Sequence, residues 1–65
     1  MEIKIGQKYK TRGKHPNICT VTDIYKTYNS KNELIKTSYV AIHEFIGQII
    51  TEYDIPKTTI LRGLI

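Results

Sequence analysis

Tryptophan is absent from these 65 residues, alanine occurs once (Ala41), cysteine once (Cys19) and proline twice. One cysteine cannot form an internal disulfide, which excludes a stapled secreted miniprotein. No apolar run approaches the ~18–20 residues of a membrane-spanning helix. No basic start leads into the apolar stretch of a secretory leader. Acidic residues are also scarce: 6 Asp and Glu stand against 10 Lys and Arg, a formal charge of +4. The sign excludes an acidic mimic of nucleic acid. Hydrophobic residues make up 40% and charged residues 25%, a globular balance rather than a disordered one.

What the chain has in excess is strand-forming residues. Twelve Ile, 2 Val, 8 Thr, 5 Tyr and 1 Phe account for 28 of 65 positions. β-branched and aromatic side chains fit a pleated surface and lose rotamer freedom in a helix. The expectation is an all-β domain with at most one helical turn. A chain this short buries only about 60% of its unfolded surface. With neither disulfide nor evident metal, oligomerisation is the usual remaining support, and a homo-oligomer is expected.

Punctuation by Gly, Pro, Asn and Ser divides the chain. Residues 8–11 alternate charge and β-formers, a short strand with Tyr9 facing inward. Residues 12–17, Arg-Gly-Lys-His-Pro-Asn, form a loop. Residues 18–28 make a long strand. Its phase places Cys19, Val21 and Asp23 on one face, then becomes ambiguous, and a bulge near Asp23 restores it. Asn29-Ser30-Lys31-Asn32 is a turn that joins this strand to residues 34–45 as an antiparallel hairpin. Ile35, Thr37, Tyr39, Ala41, His43 and Phe45 fall on one face of the second strand. Leu34, Lys36, Ser38, Val40, Ile42 and Glu44 fall on the other. Both faces are apolar around residues 39–42, which points to a barrel or a subunit interface. A turn at Gly47-Gln48, a strand over 49–53, a turn or a single 3₁₀ turn at 54–58 and a last short strand over 59–61 complete the reading. Five short strands suit a small half-open barrel of the Src-homology-3-like type. A twisted antiparallel sheet that oligomerises is the alternative.

Catalytic and metal chemistry find little support. His15, Cys19 and His43 are three candidate ligands without a paired motif, whereas structural zinc takes four. No metal and no cofactor are expected. His43 and Glu44 are neighbours on a strand and point to opposite faces, so Glu44 cannot orient His43. Cys19 and His43 can meet across the hairpin, but no third orienting group is evident, and Cys19 reads as packing. Glu44, Glu52 and Asp54 have no spacing that suggests an acid–base pair. Gly13-Lys14 lacks the upstream Gly and the following Ser or Thr of a phosphate-binding P-loop. The chain is expected not to be an enzyme.

One feature survives. Residues 1–14 carry Lys4, Lys8, Lys10, Arg12 and Lys14 against Glu2, so the whole net charge sits at one end. Lys8, Lys10, Arg12 and Lys14 recur every second residue and share a face in extended chain. Gly13 permits a turn whose N–H groups converge on an anion, Arg12 offers a planar fork, and His15 adds a donor. Lys10, Arg12, Gly13, Lys14 and His15 are therefore the candidate phosphate rim. His43 and Arg62 would complete a pocket across a subunit boundary, and Tyr28 or Phe45 would stack on a base. A solvated Lys-rich edge that blocks aggregation is the plainer alternative for the same residues. Tyr39 and Phe45 are otherwise expected in the core.

The stretches Tyr9-Lys10-Thr11-Arg12-Gly13-Lys14, Cys19-Thr20-Val21, Asp23-Ile24, Tyr28-Asn29-Ser30, His43-Glu44-Phe45, Gly47-Gln48, Thr59-Ile60 and Arg62-Gly63 cover most of the chain. On them the sequence resembles a group of short phage-encoded all-β proteins. None of these stretches is a motif with an assigned chemistry. The resemblance implies a phage origin, action in the host bacterial cytoplasm and an anti-defence role, some such proteins being compact basic oligomers that trap a nucleotide signal without cleaving it. Three functions follow as expectations: capture of a small phosphorylated ligand, binding of nucleic acid, or docking on a host protein through the strand face around residues 39–42.

Overall fold

In the computed structural model, which describes residues 2–65, the β-branched and aromatic runs extend as one antiparallel sheet. Its strands are β1 (Lys8–Lys10), β2 (Ile18–Tyr28), β3 (Leu34–Phe45) and β4 (Gln48–Ile55), in the spatial order β1-β2-β3-β4. A helix, α1 (Lys57–Arg62), follows. The sheet is not closed into a barrel. Two contacts bring the chain end back to β1: Tyr9 bridges Leu64, and the Lys10 N–H donates to the Gly63 carbonyl at 2.7 Å.

Four strands replace the expected five, and the expected strand over 59–61 is instead part of α1. Pro56 opens this helix with φ −75°. The local Thr-Thr-Ile-Leu composition favours a strand, but packing overrides it. Ile60 is fully buried and is the helix's only buried residue, so a single turn-and-a-half is enough to plug the open end of the sheet. β4 is also longer than the expected 49–53, and its turn is Ile46-Gly47 rather than Gly47-Gln48.

The core lies on one face of the sheet. Ile3, Tyr9, Cys19, Val21, Tyr39, Ala41, Ile55 and Ile60 form it, with Ile24 and Leu64 packed at its border. The bulge expected near Asp23 is present, as a shift in register between Val21 and Asp23. It leaves Thr22 without a partner residue, turns Asp23 outward and returns Ile24 to the core side, so Asp23 does not share the Cys19–Val21 face. The Thr22 hydroxyl donates to the Val40 carbonyl at 3.3 Å. Phe45, expected in the core, is half-exposed, because β3 runs past the reach of α1 and the N-terminal segment.

Two turns differ in their strain. At the first, the Asn29 side chain accepts from the N–H groups of Lys31 and Glu33 at 2.9 and 3.0 Å, and Asn32 takes the left-handed conformation that Asn tolerates. At the second, Ile46 has φ 50° and Gly47 has φ 73°, the paired positive values of a two-residue hairpin. A β-branched residue is costly there, by about 1–2 kcal/mol, and Ile46 is 85% exposed, so no packing offsets it. Ile46→Asn is expected to raise stability by about 1 kcal/mol, read as a higher urea midpoint at unchanged slope. An unchanged or lower midpoint would show that Ile46 makes a compensating contact.

Asp54 also takes a positive φ, 56°, where β4 shifts register against β3. Its carboxylate accepts from the Lys36 ammonium at 2.8 Å and the Ser38 hydroxyl at 2.7 Å. Lys36 first, and Ser38 second, hold this carboxyl below the usual carboxylate range. A depressed folded value contributes stability that is present above the unfolded value and is lost as pH falls through the folded one. The effect is small because the group is exposed to solvent. The stability gap between wild type and Asp54→Asn is expected to close as pH falls from about 5 to about 2. Urea titrations across that range check it.

Candidate anion-binding site

The basic segment leaves β1 at Lys10 and turns through residues 12–16. Thr11 and Asn17 close the base of this loop: the Thr11 N–H donates to the Asn17 carbonyl at 2.9 Å, and the Asn17 N–H donates to the Thr11 hydroxyl at 2.8 Å. Gly13 has φ 129°, a backbone conformation that suits glycine, with open space around it. On the other side of β1, the last turn of α1 and residues 63–65 run alongside. Gly63 allows this approach. A Cβ placed there would collide with the Lys10 carbonyl oxygen, and the backbones could not pair.

Between the two flanks lies an open groove of about 630 Å³, lined by Lys10, Thr11, Arg12, Gly13, Pro16 and residues 62–65. A second hollow of about 280 Å³ adjoins it, sharing Lys10, Thr11, Arg12 and Arg62 and adding Thr59. No acidic residue lines either one. Among the described residues the ion pairs are Lys36–Asp54 and His43–Glu52, so Lys10, Arg12 and Arg62 have no carboxylate within salt-bridge distance. The groove thus offers three cations without a carboxylate partner, Lys10 and Arg12 from the loop flank and Arg62 from the α1 flank, beside the apolar groups of Pro16, Leu64 and Ile65. That combination suits an anion attached to an apolar body, and the volume falls in the usual range for small-ligand sites, roughly 300–1,000 Å³.

The structure gathers some of the residues expected in a site and scatters others. Lys10, Arg12, Gly13 and Arg62 line the groove. Arg62 does so within one chain, by the return of α1 to β1, and not across a subunit boundary. Lys14 and His15 are exposed in the same loop, outside the lining. Tyr28 sits at the far end of the β2–β3 hairpin, and Phe45 at the turn into β4. His43 is buried near the C-terminal end of β3. Thr11, Pro16, Thr59, Gly63, Leu64 and Ile65 are lining residues that sequence reasoning missed, since nothing local marks them.

A second cluster lies under the sheet. Cys19 pairs with Tyr9 in the β1–β2 register. His43 Nδ1 lies 3.8 Å from a Glu52 carboxylate oxygen and has no hydrogen-bond partner. Glu52 is the third group absent from the sequence reading of a Cys19–His43 pair. It comes from β4 through sheet register, which residue spacing does not reveal. Cys19 is nonetheless fully buried, and none of the four grooves described for this surface touches Cys19, His43 or Glu52. Burial pushes the Cys19 thiol up, away from the thiolate that a nucleophile needs, and it pushes the Tyr9 phenol up as well. Cys19 is expected to react with a thiol reagent only as fast as the protein unfolds. Labelling of the folded protein at the rate of a free thiol would contradict this. Among the described residues no three His, Cys, Asp or Glu side chains are grouped to hold a metal ion. Among the described residues no helix is long and apolar enough to cross a membrane. No protein-family model, no curated protein and no solved structure matches this chain.

Proposed function

We propose that this protein is a non-enzymatic binding protein that captures a small phosphorylated ligand, such as a nucleotide signal, in the groove between the basic loop and the end of α1. The observation that carries the reading is the convergence of Lys10, Arg12 and Arg62 on one hollow with no acidic lining. Phosphate fits the planar fork of Arg12 and Arg62 in two-point contact, while Lys10 contributes a movable point charge. The apolar groups of Pro16, Leu64 and Ile65 take the base or sugar. Capture requires affinity alone, which agrees with a groove whose lining holds neither Cys19 nor His43. The resemblance to small phage-encoded proteins extends the proposal to sequestration of an immune nucleotide in the host bacterial cytoplasm. The return of residues 63–64 to β1 supports reading the sheet as a half-open barrel of the Src-homology-3-like type whose last strand is reduced to one bridge.

Isothermal titration against inorganic phosphate, linear nucleotides, cyclic mononucleotides and cyclic dinucleotides tests the proposal. Saturable binding by one nucleotide class is expected. Arg12→Ala or Arg62→Ala is expected to weaken it about 10–100-fold, the worth of one charge-assisted hydrogen bond. Absence of heat with every member of the panel overturns it.

Lys14 and His15, exposed beside the groove, favour a second reading, in which the cationic surface tracks a nucleic-acid backbone. The salt dependence separates the two. Nucleic acid gives a log–log slope that grows by about 0.7–0.9 for each phosphate neutralised, steepening with oligonucleotide length up to the site size, whereas a pocket ligand gives one fixed, shallow slope.

A further inference from the structure

The two edges of the sheet end differently. At β1 the returning chain supplies a cover: the Lys10 N–H donates to the Gly63 carbonyl, and Leu64 bridges Tyr9. At the other edge, β4 has β3 on one side and no strand on the other. Its free backbone groups follow from the turn. The two-residue connection at Ile46-Gly47 makes Phe45 and Gln48 a hydrogen-bonded pair. Alternation then aims the N–H and C=O of Ile50 and Glu52 at β3, and those of Ile49, Thr51 and Tyr53 away from it. Among the described residues none of these outward groups bonds to a loop, a turn or a chain end. An open edge is normally blunted by proline, an outward charge or a bulge. Over residues 48–53 β4 has none of these. Its one charge there, Glu52, turns toward His43 on the core side, and the positive φ of Asp54 and the ring of Pro56 come after it. Ile49, Thr51 and Tyr53 are all exposed.

We infer that β4 is closed by β4 of a second copy of the chain, antiparallel, about a two-fold axis at Thr51. The strand's own sequence selects this partner and this register. A centre at Thr51 sets every outward residue against an outward residue: Thr51 faces the partner's Thr51, and Ile49 faces the partner's Tyr53 on either side of it. Each of these pairs exchanges two backbone hydrogen bonds. Threonine with threonine, and an aromatic with a β-branched residue, are favourable cross-strand pairs. Glu52 falls opposite the partner's Ile50, so no like charges meet. An axis at Glu52 would set two carboxylates against each other. An axis at Ile50 would leave Tyr53 opposite the turn at Gly47, without a strand partner. The two sheets become one continuous sheet through their β4 edges. The basic groove lies at the far edge, beside β1, and stays accessible.

Sedimentation equilibrium over a range of protein concentrations tests this. Wild type is expected to sediment at twice the chain mass, with the amide hydrogens of Ile49, Thr51 and Tyr53 exchanging more slowly as the dimer forms. Thr51→Pro removes a donor that the chain's own ladder does not use. Its far-ultraviolet circular dichroism should be unchanged while its dimer dissociates at least ~100-fold more readily. Two charge variants test the register without proline. Ile49→Lys/Tyr53→Lys sets like charges opposite each other in both flanking pairs. Ile49→Glu/Tyr53→Lys sets opposite charges there and removes much the same apolar surface. The second is expected to dimerise at least ~10-fold more tightly than the first. A wild type that stays monomeric at high micromolar concentration overturns the inference. So does a folded Thr51→Pro variant that dimerises as wild type does, or equal affinity of the two charge variants.

Discussion

Gly63→Ala is expected to destabilise the protein by about 3 kcal/mol or more, a large fraction of the total stability of a domain this small. The cause is a close approach between backbones. The chain passes Lys10 so tightly at Gly63 that an added Cβ would lie inside the contact distance of the Lys10 carbonyl oxygen. Backbone on both sides is then forced to move. The Lys10–Gly63 hydrogen bond and the Tyr9–Leu64 bridge are lost together, since both depend on that approach. Tyr9 belongs to the core and Leu64 packs at its border, so the core opens at that edge as well. Arg62, one residue earlier, loses its place beside Lys10 and Arg12. Urea denaturation gives the stability, and ligand titration at low temperature gives the groove. A variant within about 0.5 kcal/mol of wild type, the range of ordinary surface substitutions, would mean that the chain end does not close on β1.

Ile60→Ala is expected to cost about 2–5 kcal/mol. Ile60 is 0% exposed and is the one residue by which α1 enters the core. A six-residue helix has no stability of its own. Pro56 at its start makes no side-chain cap bond, and only Arg62 favours its C-terminal dipole. Truncating Ile60 therefore loses the buried surface, leaves a cavity, and frees the helix to fray. Ile60→Val is the graded control, with an expected cost of about 0.5–1.5 kcal/mol. Equal losses in the two variants would indicate that Ile60 is not the anchor. Fraying also displaces Arg62, so ligand affinity should fall in step with stability along the series.

The strands were legible where one physical rule decided them. β2 and β3 fall at residues 18–28 and 34–45, as their composition and the Asn-rich turn between them predict. The bulge beside Asp23 was legible as a slip of apolar phase, because a sheet with one buried face must return Ile24 to it. Residues 57–62 were not legible. Thr58, Thr59 and Ile60 prefer a strand, and only the core's need for Ile60 and the tight passage at Gly63 select a helix. Phe45 follows the alternation that buries Tyr39, Ala41 and His43, yet it is half-exposed, since the pattern does not say where the covering elements end. The site shows the same division. The alternating charges at Lys10 and Arg12 are local and can be read directly. Arg62 joins them through a contact across some fifty residues of sequence, and no spacing rule reports that contact.

The claim on which the functional reading rests is that Lys10, Arg12 and Arg62 act together on one anion. Isothermal titration of Arg12→Ala/Arg62→Ala against the nucleotide that wild type binds most tightly is the direct measurement, with thermal melting confirming that the variant is folded. Both arginines are exposed and unpaired, so the fold should be unaffected. A one-to-one isotherm for wild type and a loss of at least ~100-fold in the double variant are predicted. Equal affinity in the two proteins would place the ligand elsewhere and contradict the account.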